Sequence, residues 1–276
     1  MEGRALGLIA GEGRVPRDFL AAAQERGYRV SAVVFSPEAE EELRPLCPRI
    51  ARLPLGQPRR LLRFFREEGV EEVGFAGRFD KKLLFRGLKF DLLALKALRR
   101  LADRSDETLM RACAETLERE GLRVVKQTDF LSHLCVPSGP LTRRAPRGRL
   151  RLDCAYGYRV ARQLADADVG QTVVVKEGAV LAVEAIEGTD AAIRRGCELG
   201  GPGAVVVKVS RPRQDARFDV PVVGPNTVEV LLQGKAAVLA LEAGKTLLLE
   251  RERALARAKA VGLVVVGWGA EEGSAP

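Results

Sequence analysis

The feature that narrows the fold most is an alternation of short apolar runs with amphipathic stretches. Residues 6–10, 29–35, 72–75 and 122–126 read as strands, with a weaker one at 50–53. Between and after them, 16–26, 57–69, 91–101 and 106–120 carry a helical period. Strands separated by helices of this length predict a mostly parallel sheet covered on both faces.

The pattern breaks at 136–151, which holds three prolines, two glycines and five arginines without an apolar period and reads as a linker. A second α/β unit follows. Helices are predicted over 153–164, 191–199, 226–233 and 250–261, and strands over 172–176, 180–184, 204–209, 236–241 and 263–267. The strands at 172–176 and 180–184 are separated by Glu177 and Gly178, a hairpin signal that makes the second sheet mixed. The expected fold is therefore α/β. A Rossmann-like parallel-sheet domain spans 1–135, a linker 136–151, and a second α/β domain with a mixed sheet 152–276.

The chain has 276 residues with 46% hydrophobic and 30% charged, enough for two cores and inconsistent with extended disorder. No apolar run approaches a membrane span, and the N-terminus lacks the cationic and apolar regions of a signal peptide, so a cytoplasmic protein is expected. The 45 basic and 37 acidic residues leave +8, which suits anionic partners. Aromatics at 5% argue against stacked single-stranded nucleic acid. Five cysteines without a CxxC spacing point to free thiols rather than zinc or disulfides. The single histidine, His133, sits in an apolar context and reads as structural.

Two strand ends in the first domain carry small residues. The first strand runs into Gly11-Glu12-Gly13-Arg14-Val15-Pro16, a turn at which a phosphate could approach backbone N–H groups. Pro16 replaces the third glycine of a dinucleotide fingerprint and Phe35-Ser36 stands where an acidic residue would hold a ribose, so a nicotinamide enzyme is disfavoured. Gly77-Arg78 ends another strand, followed by Lys81 and Lys82. In an open parallel sheet the two ends would face one crevice; the bland alternative is a pair of tight turns. The stretch 79–101 interleaves leucine and phenylalanine with lysine and arginine, as a lipid-facing segment or an ordinary amphipathic core piece would.

In the second domain Glu184, Glu187 and Asp190 fall at i, i+3 and i+6 where a strand gives way to a helix. Divalent cations such as Mg²⁺ take oxygen ligands of this kind, and helix capping by Thr189 or Asp190 is the competing reading. Lys208, Arg211, Arg213, Arg217 and Asp219 form a basic loop after a strand, and Gly224 and Thr227 lie at the next helix start. Cations around an anionic substrate with one embedded carboxylate suit phosphoryl chemistry; charges pairing among themselves would look similar. The 143–151 arginine run reads as a solvated linker.

These segments together resemble the UDP-2,3-diacylglucosamine pyrophosphatases of the LpxI type, from lipid A biosynthesis in Gram-negative bacteria. The matching stretches are GLIAGEGRVP, GFAGR, SDETLMRACAETLEREG, 153–157, DVGQTVVVKEGAVLAVEAIEGTDAAIRR and KVSRPRQDARFDVPVVG. DVGQ followed by a hairpin and AVEAIEGTD is the most specific run; 36–60 and the tail after 267 match poorly.

The resemblance implies hydrolysis of UDP-2,3-diacylglucosamine to UMP and 2,3-diacylglucosamine 1-phosphate by water attacking the uridine-linked phosphorus, with a divalent cation, normally Mg²⁺. It implies substrate in a crevice between two domains and places the family's essential aspartate at Asp219. Read with it, the catalytic candidates are Asp219, Asp190 and Lys208, and the metal candidates Asp219, Glu187 and Asp190. The substrate-binding candidates are Gly11, Gly13, Arg14, Gly77, Arg78, Lys82, Thr189, Arg217, Gly224 and Thr227. The acyl chains would bring the protein to the inner-membrane surface as a peripheral protein; nucleic acid is not expected as a partner, and a homodimer is left open. The alternative from another class is a non-enzymatic nucleotide-sugar or lipid-phosphate binding protein, which would bind without turnover. A nucleic-acid-binding protein would instead lose affinity steeply with salt and ignore Asp219→Ala.

Overall fold

The structure is a computed structural model and describes residues 3–79, 91, 94, 106–212 and 214–269. Contacts divide the chain into two compact units: Met1–Ser132 with Asp215–Asp219, and His133–Gln214 with Val220–Pro276.

In the first unit the described elements run β1 (Ala5–Ala10), α1 (Val15–Glu25), β2 (Arg29–Val34), α2 (Pro37–Leu43), β3 (Ile50–Arg52), α3 (Pro58–Glu67), β4 (Glu72–Ala76), α4 (Asp106–Arg119), β5 (Arg123–Val124) and α5 (Gln127–Leu131). The sheet has the order β3-β2-β1-β4-β5, with every pairing parallel. β1 and β4 are apolar almost throughout because helices cover both faces, which is why they read as continuous hydrophobic runs. Strand order reverses at β1, so the loops leaving β1 and β4 stand at the switch point of the sheet. Helix α2 was not predicted, although its start signal is present: Pro37 opens it and the Ser36 side chain accepts from the Ala39 N–H at 3.2 Å.

The second unit runs β6 (Gly139–Pro140), α6 (Gly148–Asp166), β7 (Thr172–Lys176), β8 (Ala179–Val183), α7 (Thr189–Gly200), β9 (Val205–Lys208), β10 (Val222–Val223), α8 (Pro225–Gln233), β11 (Val238–Glu242), β12 (Leu247–Leu248), α9 (Arg251–Val261) and β13 (Val264–Trp268). Its main sheet has the order β6-β13-β11-β9-β7-β8. β13, β11 and β9 are parallel, and β7 and β8 join as an antiparallel hairpin, so the sheet is mixed as predicted. Alternate strand residues point to opposite faces: Val173, Val205 and Val207 share a core with Ala161 and Tyr158 of α6, whereas Val174, Val206 and Leu239 pack with Ile193, Leu231 and Ala258.

The hairpin has a buried anchor. Glu177 and Gly178 both have positive φ, the requirement of a tight primed turn, and their N–H groups donate to the two oxygens of Asp153 at 2.9 and 2.8 Å. Asp153 is therefore fixed by the fold.

The expected linker at 136–151 is corrected by the structure. Val136 is fully buried and its N–H donates to the Thr246 carbonyl; β6 pairs antiparallel with β13; and α6 already begins at Gly148. The prolines mark an edge strand, where a missing N–H is tolerated, and not a flexible joint.

Candidate active site

The carboxyl ends of β9 and β11 form the chemically richest edge of the second unit. Lys208, the last residue of β9, lies in register between Thr172 and Leu241 and is only 5% exposed. Its ammonium donates to the Thr189 hydroxyl at 2.6 Å and stands 3.9 Å from Glu184 Oε2. The Thr189 hydroxyl in turn donates to Glu184 Oε1 at 2.8 Å. Glu184 directly follows β8, and its N–H donates to the Thr172 carbonyl.

Two helix starts meet beside this chain. Gly188 and Gly224 are the N-caps of α7 and α8, and neither helix has a side-chain cap. Thr189 and Asp190 therefore do not cap α7; Thr189 serves Lys208 and Glu184, and Asp190 Oδ1 accepts the Thr227 hydroxyl at 2.7 Å. That bond ties the first turn of α7 to the first turn of α8. Open first-turn N–H groups with a buried ammonium make this edge suited to anionic oxygens.

Glu187 is placed differently from its neighbours. Its carboxylate takes Arg195 at 2.7 Å and the Ala185 N–H at 3.2 Å. Its pKa is lowered, first by its own backbone N–H and then by Arg195. Among the described residues, no group of three or more His, Cys, Asp or Glu side chains is arranged to hold a metal ion. Mg²⁺, however, is commonly bound by one or two carboxylates plus substrate phosphate. Asp190 fits that use, since among the described residues it accepts a hydroxyl and pairs with no cation, whereas Glu187 is committed to Arg195.

Glu242, at the end of β11, was missed by the sequence reading. It is 5% exposed and collects the Ser210 N–H at 2.7 Å, the Ser210 hydroxyl at 2.8 Å and Lys245 at 2.9 Å, with Arg162 at 3.5 Å. Burial pushes its pKa up, but the Ser210 N–H, Lys245 and the Ser210 hydroxyl outweigh that and leave it lowered. A glutamate closing the apolar run Val-Leu-Ala-Leu was the available signal; its partner lies 32 positions away.

In the first unit, the loops after β1 and β4 are joined to each other. Glu12 and Arg78 exchange backbone hydrogen bonds at 2.8 Å, and the Gly11 N–H donates to the Ala76 carbonyl. A Cβ on Gly11 would overlap the Arg78 carbonyl, and one on Gly77, at φ +91°, would stand 2.8 Å from the Glu12 oxygen and from Pro16. Both glycines are required by this close approach. Arg14 precedes α1 and stands 3.5 Å from Asp18, and Gly13 is exposed with φ +90°. Ala10, Gly11, Glu12, Phe35, Ser36, Leu55, Arg78 and Phe79 line a small cleft there. Lys82 and most of the 79–101 stretch lie outside the described residues.

Asp219 ends the segment Asp215–Asp219, which packs with the first unit. Phe218 is buried edge-on to Phe75, and the Ala216 carbonyl accepts the Gln127 N–H at 2.9 Å. Arg217 forms a two-pronged pair with Asp215 and reaches Glu118 at 2.8 Å, so its guanidinium braces the segment. Burial raises the Asp215 pKa, yet the Arg217 bonds prevail and hold it below the usual carboxylate range. The Asp219 N–H donates to the Asp215 carbonyl. His133 lies in a short 3₁₀ turn (Ser132–Leu134) and is exposed; none of the five cysteines is in a disulfide, and three of them are buried. No described helix is long and apolar enough to cross a membrane.

Family models described as the LpxI N-terminal domain and the LpxI C-terminal domain match residues 5–134 and 137–266. A Caulobacter vibrioides protein, the UDP-2,3-diacylglucosamine pyrophosphatase LpxI, is 33% identical over 288 aligned residues, covering 98% of this chain and 99% of that protein.

Proposed function

The chain belongs to the LpxI family, and on that premise we propose that it is a UDP-2,3-diacylglucosamine pyrophosphatase, a hydrolase of lipid A biosynthesis. The observation that carries the reading is the end-to-end match, through both domains, to a relative named for that activity. In the proposed reaction a water oxygen bonds to the phosphorus that carries uridine. The bond from that phosphorus to the bridging oxygen breaks, and UMP and 2,3-diacylglucosamine 1-phosphate leave.

Such transfers ask the protein mainly to position groups and to neutralise charge. Lys208 supplies a buried positive charge for phosphate oxygens, and the first-turn N–H groups of α7 and α8 supply fixed dipoles. Thr189 holds the Lys208 ammonium, and Thr227 orients Asp190. Asp190 is the carboxylate of this edge that we assign to a divalent cation, Mg²⁺ by its preference for oxygen ligands, and Asp219 is kept as a catalytic candidate. When bound, the cation would neutralise charge on the diphosphate. Arg217 keeps the Asp219 segment in shape through Asp215 and Glu118.

The substrate's two acyl chains and the net charge of +8 support work at an anionic inner-membrane surface as a peripheral cytoplasmic protein. The test is UMP release from UDP-2,3-diacylglucosamine with Mg²⁺, with chelator, and in Asp219→Ala. Metal-dependent release that disappears in a folded Asp219→Ala protein supports the reading. A folded, unaltered protein that binds the substrate and releases no UMP under any metal would overturn it in favour of a binding protein.

A further inference from the structure

We propose that Glu184 is a positioning residue of this reaction, acting through Thr189 to fix the ammonium of Lys208. The inference rests on the pyrophosphatase reading above and assigns a role to a side chain outside the catalytic, metal and substrate sets.

The argument begins with the direction of two hydrogen bonds. A lysine ammonium only donates, so the Thr189 oxygen must accept from Lys208 at 2.6 Å. A hydroxyl has one proton, and Glu184 Oε1 at 2.8 Å takes it. The carboxylate thus decides which way the Thr189 lone pairs face. Without it the hydroxyl is free to rotate and can point its proton at the ammonium.

The second observation is the incompleteness of the pair itself. Glu184 Oε2 is buried, has no hydrogen-bond partner among the described residues, and stops 3.9 Å from Lys208 Nζ. An ion pair evolved only to stabilise a buried lysine would close to direct contact, since a buried oxygen without a partner is costly. Here the threonine is interposed, and it sets the ammonium's direction while the carboxylate supplies the compensating charge. The backbone agrees with this placement: Glu184 is pinned by its N–H to Thr172, the residue paired with Lys208 in the sheet. Gly170 makes room for the Glu184 carbonyl, which a Cβ there would overlap.

The experiment is a double-mutant cycle on UMP release. Lys208→Ala removes a charge-stabilising donor and is expected to lower kcat by about 10² to 10³. Glu184→Ala is expected to lower kcat by about 10- to 100-fold, in line with other residues that orient a functional group, with KM within about threefold. In the Lys208→Ala background the same Glu184→Ala change should have no further effect, because the group it positions is gone. Thr189→Val should match Glu184→Ala, and Thr189→Ser should restore most of the activity. Glu184→Gln keeps an oxygen acceptor and a similar shape, so it serves if the alanine variant does not fold, and it should retain more activity than Thr189→Val. Equal losses from Glu184→Ala with and without Lys208, or unchanged kcat in Glu184→Ala, would overturn the inference alone. No release from the unaltered protein would overturn the parent reading and this inference with it.

Discussion

The Thr227 hydroxyl donates to Asp190 Oδ1 at 2.7 Å, and this one bond joins the first turns of two helices that follow strands of different sheets, α7 after β8 of the main sheet and α8 after β10, which pairs with β12. Neither residue is used as a helix cap, although both are of types that commonly are. The pairing instead aligns two uncapped helix starts beside Lys208.

Thr227→Val keeps the shape of the side chain and removes the donor. A hydrogen bond to a charged acceptor is worth about 1.5 kcal/mol, so kcat/KM for UMP release should fall about tenfold or more. The melting temperature should move little, because Asp190 is partly exposed and water can replace the lost donor. Steady-state kinetics with a thermal melt check it; unchanged kcat/KM would remove Thr227 from the site.

Gly170→Ala should damage the site through the backbone. The added Cβ meets the Glu184 carbonyl, so the 184–189 loop must shift or Gly170 must move. Overpacking of this kind typically costs about 1–3 kcal/mol. Activity per folded molecule should fall by at least about tenfold, since displaced catalytic geometry is penalised steeply. Chemical denaturation combined with kinetics separates the two effects, and wild-type turnover in the variant would show that the loop absorbs the change harmlessly.

Asp153→Ala should do the reverse. It strips the acceptor from the Glu177 and Gly178 N–H groups at the hairpin and should destabilise the second unit by about 3 kcal/mol. Turnover by the molecules that remain folded should be unchanged. A loss of turnover without a loss of stability would mean that Asp153 belongs to the chemistry.

The Glu242 cluster makes an acid-limb prediction. Its folded pKa is lowered, so it contributes stability that is present above its unfolded value of about 4.3 and is lost as pH falls through the folded value. Glu242→Gln removes that titration, and its stability should depend less on pH below about 4.3 than wild type. Urea unfolding between neutral pH and the acid limb reads this directly, and parallel curves for the two proteins would refute it.

How much of this was legible in the chain differs by element. The alternation of apolar runs and helical periods marked β1, β2, β4, β7, β9, β11 and β13 because strands buried on both faces are continuous hydrophobic segments, in the antiparallel β7 as in the parallel ones. The hairpin at Glu177-Gly178 was legible for the same local reason, since turn chemistry is written in the turn residues. The prolines of 136–151 misled, because composition does not distinguish an edge strand from a joint.

What the sequence determined by itself, then, was the alternation, the mixed second sheet and the resemblance carried by its specific runs; these depend on neighbours in the chain. Only the tertiary structure separated Glu187, held by Arg195, from Asp190, held by Thr227, although both lie in one carboxylate run. It alone placed Asp215–Asp219 with the first unit and turned Arg217 into a brace for Asp215. It alone brought Ser210 to Glu242 and set Thr189 between Glu184 and Lys208. The physical reason is that a carboxylate's role follows from which donor reaches it at about 3 Å, and that donor can lie dozens of positions away along the chain.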